Sequence, residues 1–141
     1  MPHGMLRSKL NVGTLNLRGL NTDLKKIQLA NDMQKYELSV LAIQETKLKS
    51  EGIFEITSSD RKHIYEVYHT GNEENKHHGV GIVIEKGIDA EFSVISNRIC
   101  KIITKIGTKE NQRKLTLISS YAPTLEVSKK IPRLKKIFMK N

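Results

Sequence analysis

A chain of 141 residues and 16.0 kDa, 38% hydrophobic and 28% charged, has room for one ordinary domain and enough apolar material for a core. That composition excludes collagen-like, coiled-coil and wholly disordered classes, and no apolar run approaches the length that crosses a bilayer. The formal net charge is +9, and the excess lies in the last third: Arg98 to Asn141 carries 12 basic and 2 acidic residues, against 12 and 13 in the rest. So basic a segment is attracted to polyanions, nucleic acid first and anionic membrane surface second, the bland alternative being a solvated tail that aids solubility. Cys100 is alone, which excludes an intrachain disulfide and a Cys-based zinc site, and its flanks Ile99 and Ile102 predict an inert buried thiol. Met1 to Arg7 lacks the apolar stretch of a signal peptide, so an intracellular setting, nuclear or cytoplasmic, is expected.

In chain order, Lys9 to Leu17 alternates Leu10, Val12, Thr14 and Asn16 against Asn11, Gly13, Leu15 and Leu17, which predicts a strand closed by Arg18-Gly19. Asn21-Thr22-Asp23 offers N-cap oxygens. Leu20, Leu24, Ile27, Ala30 and Met33 then recur at helical spacing to about Tyr36, with Lys25, Lys26, Gln28 and Asp32 expected on the wet side. Leu38 to Ile43 reads as a strand buried on both faces, ending in Gln44-Glu45-Thr46. Strand, helix and strand so close together predict a crossover unit within one sheet.

Beyond it, Ile64 to His69, Val80 to Glu85, Glu91 to Ile95, Arg98 to Ile106 and Arg113 to Tyr121 all read as strands, the last two as a hairpin. Gly79-Val80-Gly81 suggests a bulge at a strand start. Consecutive short strands after a crossover predict an α+β sandwich of sheets rather than a wound parallel sheet. Leu125 to Asn141 is Lys-rich with a weak helical stripe of Ile131, Leu134, Ile137 and Phe138. The expected organisation is a tail over 1–8, a domain over 9–124 and a basic helical segment over 125–141.

Glu45 stands directly after a buried run, at the carboxyl end of a predicted strand, where an open sheet presents residues to ligands. A carboxylate there suits Mg²⁺, which takes one or two carboxylates plus waters and phosphate oxygens; a solvated loop Glu is the plainer alternative. Asn16 ends the first strand, where its amide could bond a phosphate oxygen, orient the carboxylate or simply make a turn. Tyr121 closes the last strand, as a phosphate contact or a packed tyrosine. Adjacent His77 and His78 point opposite ways on an extended chain, so they are poor joint metal ligands, and His3, His63 and His69 lack acidic or Cys partners at a ligand spacing. No Walker loop, GxSxG, HExxH or EF-hand pattern is present.

Taken in order, Thr14-Leu15-Asn16-Leu17-Arg18-Gly19-Leu20, Leu41-Ala42-Ile43-Gln44-Glu45-Thr46-Lys47, His78-Gly79-Val80-Gly81-Ile82-Val83-Ile84 and Ser119-Ser120-Tyr121-Ala122-Pro123-Thr124 form a series. The series resembles the N-terminal half of the endonuclease/exonuclease/phosphatase superfamily, over about residues 9 to 132. It is most similar to the endonuclease domain of RTE-type non-LTR retrotransposons and to the host craniofacial development protein 2-like family. The resemblance implies the N-terminal half of a four-layer β-sandwich flanked by helices. It implies Asn16 and Glu45 as organisers of a metal and phosphate site, Glu45 as metal ligand, and Tyr121 at the scissile phosphate. Mg²⁺ would be the cofactor, with Mn²⁺ as the alternative, DNA the partner, and phosphodiester hydrolysis the chemistry. No membrane and no small-molecule cofactor are implied.

The resemblance also implies a later Gly-Asp-Phe-Asn-like element, a further Asp and a terminal Asp-His. Here no Asp follows Asp89 and no His follows His78. The expectation is therefore a truncated relative of a DNA-nicking endonuclease, inactive alone, with uncovered sheet that invites a partner chain. A non-catalytic, basic nucleic-acid-binding module is the alternative, and an enzyme completed by another chain the third.

Overall fold

The computed structural model describes residues 9–71 and 79–122. Within them run β1 (Val12–Asn16), α1 (Asp23–Lys35), β2 (Val40–Gln44), β3 (Gly52–Thr57), β4 (Ile64–His69), β5 (Val80–Glu85), β6 (Ala90–Ser96), β7 (Ile99–Thr108) and β8 (Asn111–Ser120). A five-stranded sheet has the order β1-β2-β5-β4-β3, and a three-stranded sheet the order β6-β7-β8. β1 and β2 are parallel, as a crossover through α1 requires, and the other pairings are antiparallel. Mostly β with one helix and two packed sheets among the described residues, the architecture is an α+β sandwich.

Strand alternation divides the core between the two faces of the larger sheet. Leu29, Ala30 and Met33 of α1 pack on Leu41, Ile43, Ile56, Tyr65, Val67 and Val83. On the opposite face Val40, Val80, Ile82 and Ile84 meet Cys100 and Ile102 of the smaller sheet. β5 lies between β2 and β4 and is covered on both sides, which is why Val80-Gly81-Ile82-Val83-Ile84 is almost unbroken apolar sequence. The Cys100 thiol is fully buried and its pKa is pushed up to about 12 by desolvation, so it is inert as expected.

Thr22 caps α1, its Oγ1 accepting from the Lys25 N–H at 3.2 Å. The expected wet and dry faces of the helix need correcting. Leu24 is 65% exposed and Ile27 40%, whereas Leu29 is buried and Lys26 lies over the Phe54 ring at 4.6 Å. The buried stripe is set by the sheet beneath, so the Leu29–Met33 turn faces it and Leu24 points away. Farther along, Asp60 accepts from Ser58 Oγ at 2.6 Å, Lys62 N–H at 2.9 Å and Gln34 Nε2 at 2.8 Å, tying α1 to the β3–β4 turn. Those donors hold its carboxyl well below the usual carboxylate range.

Two further differences concern strands. β3 was not among the expected strands, although Ile53, Glu55 and Thr57 alternate with Phe54 and Ile56. The ladder passes through Gly81 without a register shift, pairing it with Ile43 and His69, and the irregularity lies instead between Val94 and Ser96. Gly81 is small because a Cβ there would meet the Tyr68 carbonyl at 2.5 Å. The 1–8 tail, His3, His77-His78, Pro123-Thr124 and the 125–141 segment lie outside the described residues. Among the described residues, no helix is long and apolar enough to cross a membrane.

Candidate functional site

Parallel pairing sets Asn16 against Gln44, so the carboxyl ends of β1 and β2 lie side by side. Backbone bonds extend this pairing past the strands: Leu17 N–H to Gln44 O at 3.0 Å, Gly19 N–H to Glu45 O at 2.7 Å, and Leu20 N–H to Thr46 O at 2.9 Å. There Asn16 Nδ2 donates to the Glu45 carboxylate. The Arg18 N–H donates to Asn16 Oδ1 at 3.2 Å, which fixes the amide orientation, since that N–H needs an acceptor. Asn16 therefore orients the carboxylate of a half-buried Glu45.

This corner holds unusual backbone. Arg18, Glu45 and Lys47 have φ of 56°, 53° and 59°, three of the five non-glycine positive-φ residues in the described chain. Each such position costs on the order of 1–2 kcal/mol, and such strain concentrates where function demands a geometry. Cations gather here too. A Cβ on Gly19 (φ +115°) would meet Lys25 Nζ at 3.3 Å and Lys47 Cδ at 3.5 Å, so both lysines converge on the backbone beside Arg18. The first turn of α1 adds the positive end of the helix dipole, part of which Asp23 and the Thr22 cap already use.

The neighbouring sheet is fastened at the same end. Gln44 Nε2 donates to Thr14 Oγ1 at 3.2 Å and to Ser119 Oγ at 3.3 Å, while Ser119 Oγ donates to the Ile43 carbonyl at 2.9 Å. Tyr121, on the same face two residues later, packs against the inter-sheet cluster, and its N–H donates to Arg98 O at 2.9 Å. Asn16 and Glu45 are thus brought into contact, and Tyr121 reaches their end of the sandwich through the Ser119 anchor. Sequence reasoning places Gln44, Ser119, Arg18 and Lys47 within motifs but gives them no role of their own at the site, and it sets Lys25 on the wet side of the helix. Ser119 carried a signal, a polar residue at an inward position of an alternating strand, and it is 1% exposed.

Glu45 supplies one carboxylate, with Asn16 to hold it, a donor set that fits the open, water-rich coordination of Mg²⁺. Among the described residues, no group of three or more His, Cys, Asp or Glu could enclose a metal ion. His69 is 8% exposed, with Nδ1 3.2 Å from the Thr70 carbonyl and a pKa lowered chiefly by burial, and it stacks at an angle on Phe54. His63 stacks on Tyr65 at the opposite end of the sheet.

Among the described residues, cavities flank the large sheet. One of about 270 Å³ lies between β1 and α1, lined by Leu15, Asn16, Gly19, Lys25 and Asp32, and so opens beside the pair. Another, about 550 Å³, opens at the other strand ends, lined by Lys9, Glu37, His63, Tyr65 and Glu85.

No protein-family profile matches the chain. Among solved structures, it is similar to the endonuclease domain of TRAS1, a telomere-specific non-LTR retrotransposon, at 14% identity and a TM-score of 0.40. That likeness covers 88% of this chain and 51% of the other, so the chain spans about half that domain's length.

Proposed function

We propose that this chain is a nucleic-acid-binding relative of metal-dependent, DNA-nicking endonucleases of the RTE type, and that by itself it binds a phosphodiester without cleaving it. The observation that carries this reading is the Asn16–Glu45 pair at the joined ends of β1 and β2, with Lys25 and Lys47 converging on the adjacent Gly19. The described parts of the motifs that resemble that superfamily include residues at this end of the sheets: Asn16 to Leu20, Gln44 to Lys47, Gly79, and Ser119 to Tyr121. Glu45 would hold the cation, Asn16 fixes the orientation of its carboxylate, and Lys25 and Lys47 would draw in a phosphate. Mg²⁺, or Mn²⁺ in its place, would supply charge neutralisation at the phosphodiester. The reading of binding without turnover is supported by the donor set: among the described residues no group of three or more His, Cys, Asp or Glu that could hold a metal forms around Glu45.

The test is an amide correlation spectrum of the full chain titrated with Mg²⁺, paired with a supercoiled-plasmid nicking assay. Shifts confined to residues near 16–19 and 44–47, abolished in Glu45→Ala while metal-free DNA binding is retained, are expected, with no nicking. Identical Mg²⁺ responses in parent and Glu45→Ala would remove Glu45 from the site. Mg²⁺-dependent nicking would instead establish an active enzyme. DNA binding indifferent to chelator, with no Mg²⁺ shifts, favours the purely non-catalytic module, a reading supported by the basic last third of the sequence.

A further inference from the structure

The pairing of β6 with β7 begins at Ala90 opposite Thr104, where Thr104 Oγ1 also donates to the Asp89 carbonyl at 2.6 Å. Beyond that point β7 and β8 continue alone, from Lys105 opposite Lys114 to Thr108 opposite Asn111. The inter-sheet core stops short of it, with Ile102 and Leu117. Residues 105–114 are therefore a free-standing two-stranded ribbon, exposed apart from Ile106 and Gly107. Such a ribbon is weakly stable by itself, and a like-charge pair placed directly across it weakens it further. Yet Lys105 faces Lys114, and with Lys109 and Arg113 the ribbon holds four cations against one acid, Glu110.

Lys101 continues the stripe on the same outer face, opposite Ile118, with Glu91 the acid nearby on β6. Among the described residues, none of the ribbon's cations forms an ion pair; the pair found in them joins Lys86 and Glu55 at 2.8 Å. Charge kept unpaired at a cost in local stability is charge meant for another molecule. We propose that the β7–β8 ribbon is a second nucleic-acid contact, gripping the phosphates of duplex DNA. A groove about 12 Å wide admits such a ribbon. The ribbon lies at the far end of β8 from Ser119, from about 17 Å along the strand at Lys114 to about 26 Å at Asn111, so it is separate from the Asn16–Glu45 corner. It rests on the reading of the chain as a nucleic-acid binder and adds the surface that supplies non-specific affinity.

The experiment is fluorescence anisotropy of a short labelled duplex of random sequence, titrated with the full chain over a range of salt. Lys105→Ala/Lys114→Ala is compared with Lys35→Ala/Lys62→Ala, an equal charge loss elsewhere on the surface. The ribbon variant is expected to bind at least several-fold more weakly, with the slope of log affinity against log salt reduced by about 2, near 0.9 for each phosphate no longer neutralised. The control should stay at parental values. Lys109→Ala/Arg113→Ala gives an independent reading on the same ribbon, and amide spectra of all variants should superimpose on the parent away from the changes.

Equal losses in ribbon and control variants would mean net charge alone acts, and would overturn the proposal. Unchanged binding by both ribbon variants removes this surface while leaving the nucleic-acid reading standing. A parent that binds no duplex sinks both. A parent that binds phosphatidylserine-containing vesicles in preference to duplex assigns the ribbon to a membrane surface instead.

Discussion

Thr46 is the residue on which the candidate corner is seated. It is fully buried, its N–H donates to the Gly79 carbonyl at 3.2 Å, and its Oγ1 accepts from the Leu48 N–H at 3.4 Å. Gly79 makes this possible twice over: its φ is +112°, and a Cβ there would sit 2.4 Å from Thr46 Oγ1. Gly79→Ala suffers both the left-handed backbone and the displaced hydroxyl, which together amount to about 2–4 kcal/mol. Urea unfolding should show a lowered midpoint at an unchanged slope. Because Thr46 follows Glu45 directly, the same variant should also move the amide resonances of Glu45 and Lys47. A loss below about 0.5 kcal/mol would mean the corner does not depend on that close approach.

At the scale of elements, α1 offers the sharpest check on how the helix is seated. Leu29→Ala removes a buried side chain from the face against Ile43 and Val67, and should cost about 2–5 kcal/mol. Leu24→Ala, on the far side, should stay within about 0.5 kcal/mol. Equal losses would contradict the observed face. The helix itself was legible from Thr22 and the apolar spacing, but its rotation was not. Leu24 and Leu29 are the same residue type, and only the strands beneath decide which is covered. The strands from Ile64 onward were legible from alternation and their glycine punctuation. β3 was missed because its outward Ile53, 60% exposed, and inward Ile56 blur the contrast that alternation needs. Of the corner, the motifs located Asn16 and Glu45, while the cations around Gly19 were hidden, since Lys25 and Lys47 belong to separate elements that meet only in the fold.

For the whole molecule the open flank matters most. β1 ends its sheet and β8 ends the other, and among the described residues neither has an outer neighbour. Val12 is 46% exposed and Leu15 40%, on opposite faces of β1, and Ile118 on β8 is 58% exposed. An unpaired edge with apolar side chains is a template for another strand. Sedimentation velocity should therefore show association that grows with concentration, and Val12→Lys should suppress it. A monomer at every concentration would mean that this edge is already protected. The strand order has a further consequence, for synthesis on the ribosome. β2 emerges soon after β1 and α1, but its inner neighbour β5 is made about 40 residues later, a delay of about 2–8 s at ordinary elongation rates. During that interval the edge and the Val40 face of β2 are bare. A nascent chain paused before Val80 is thus a natural client for ribosome-bound chaperones, and it stays one until β7 and β8 are made, since Cys100 and Ile102 cover the Val40 face; one paused well past Ser120 is not.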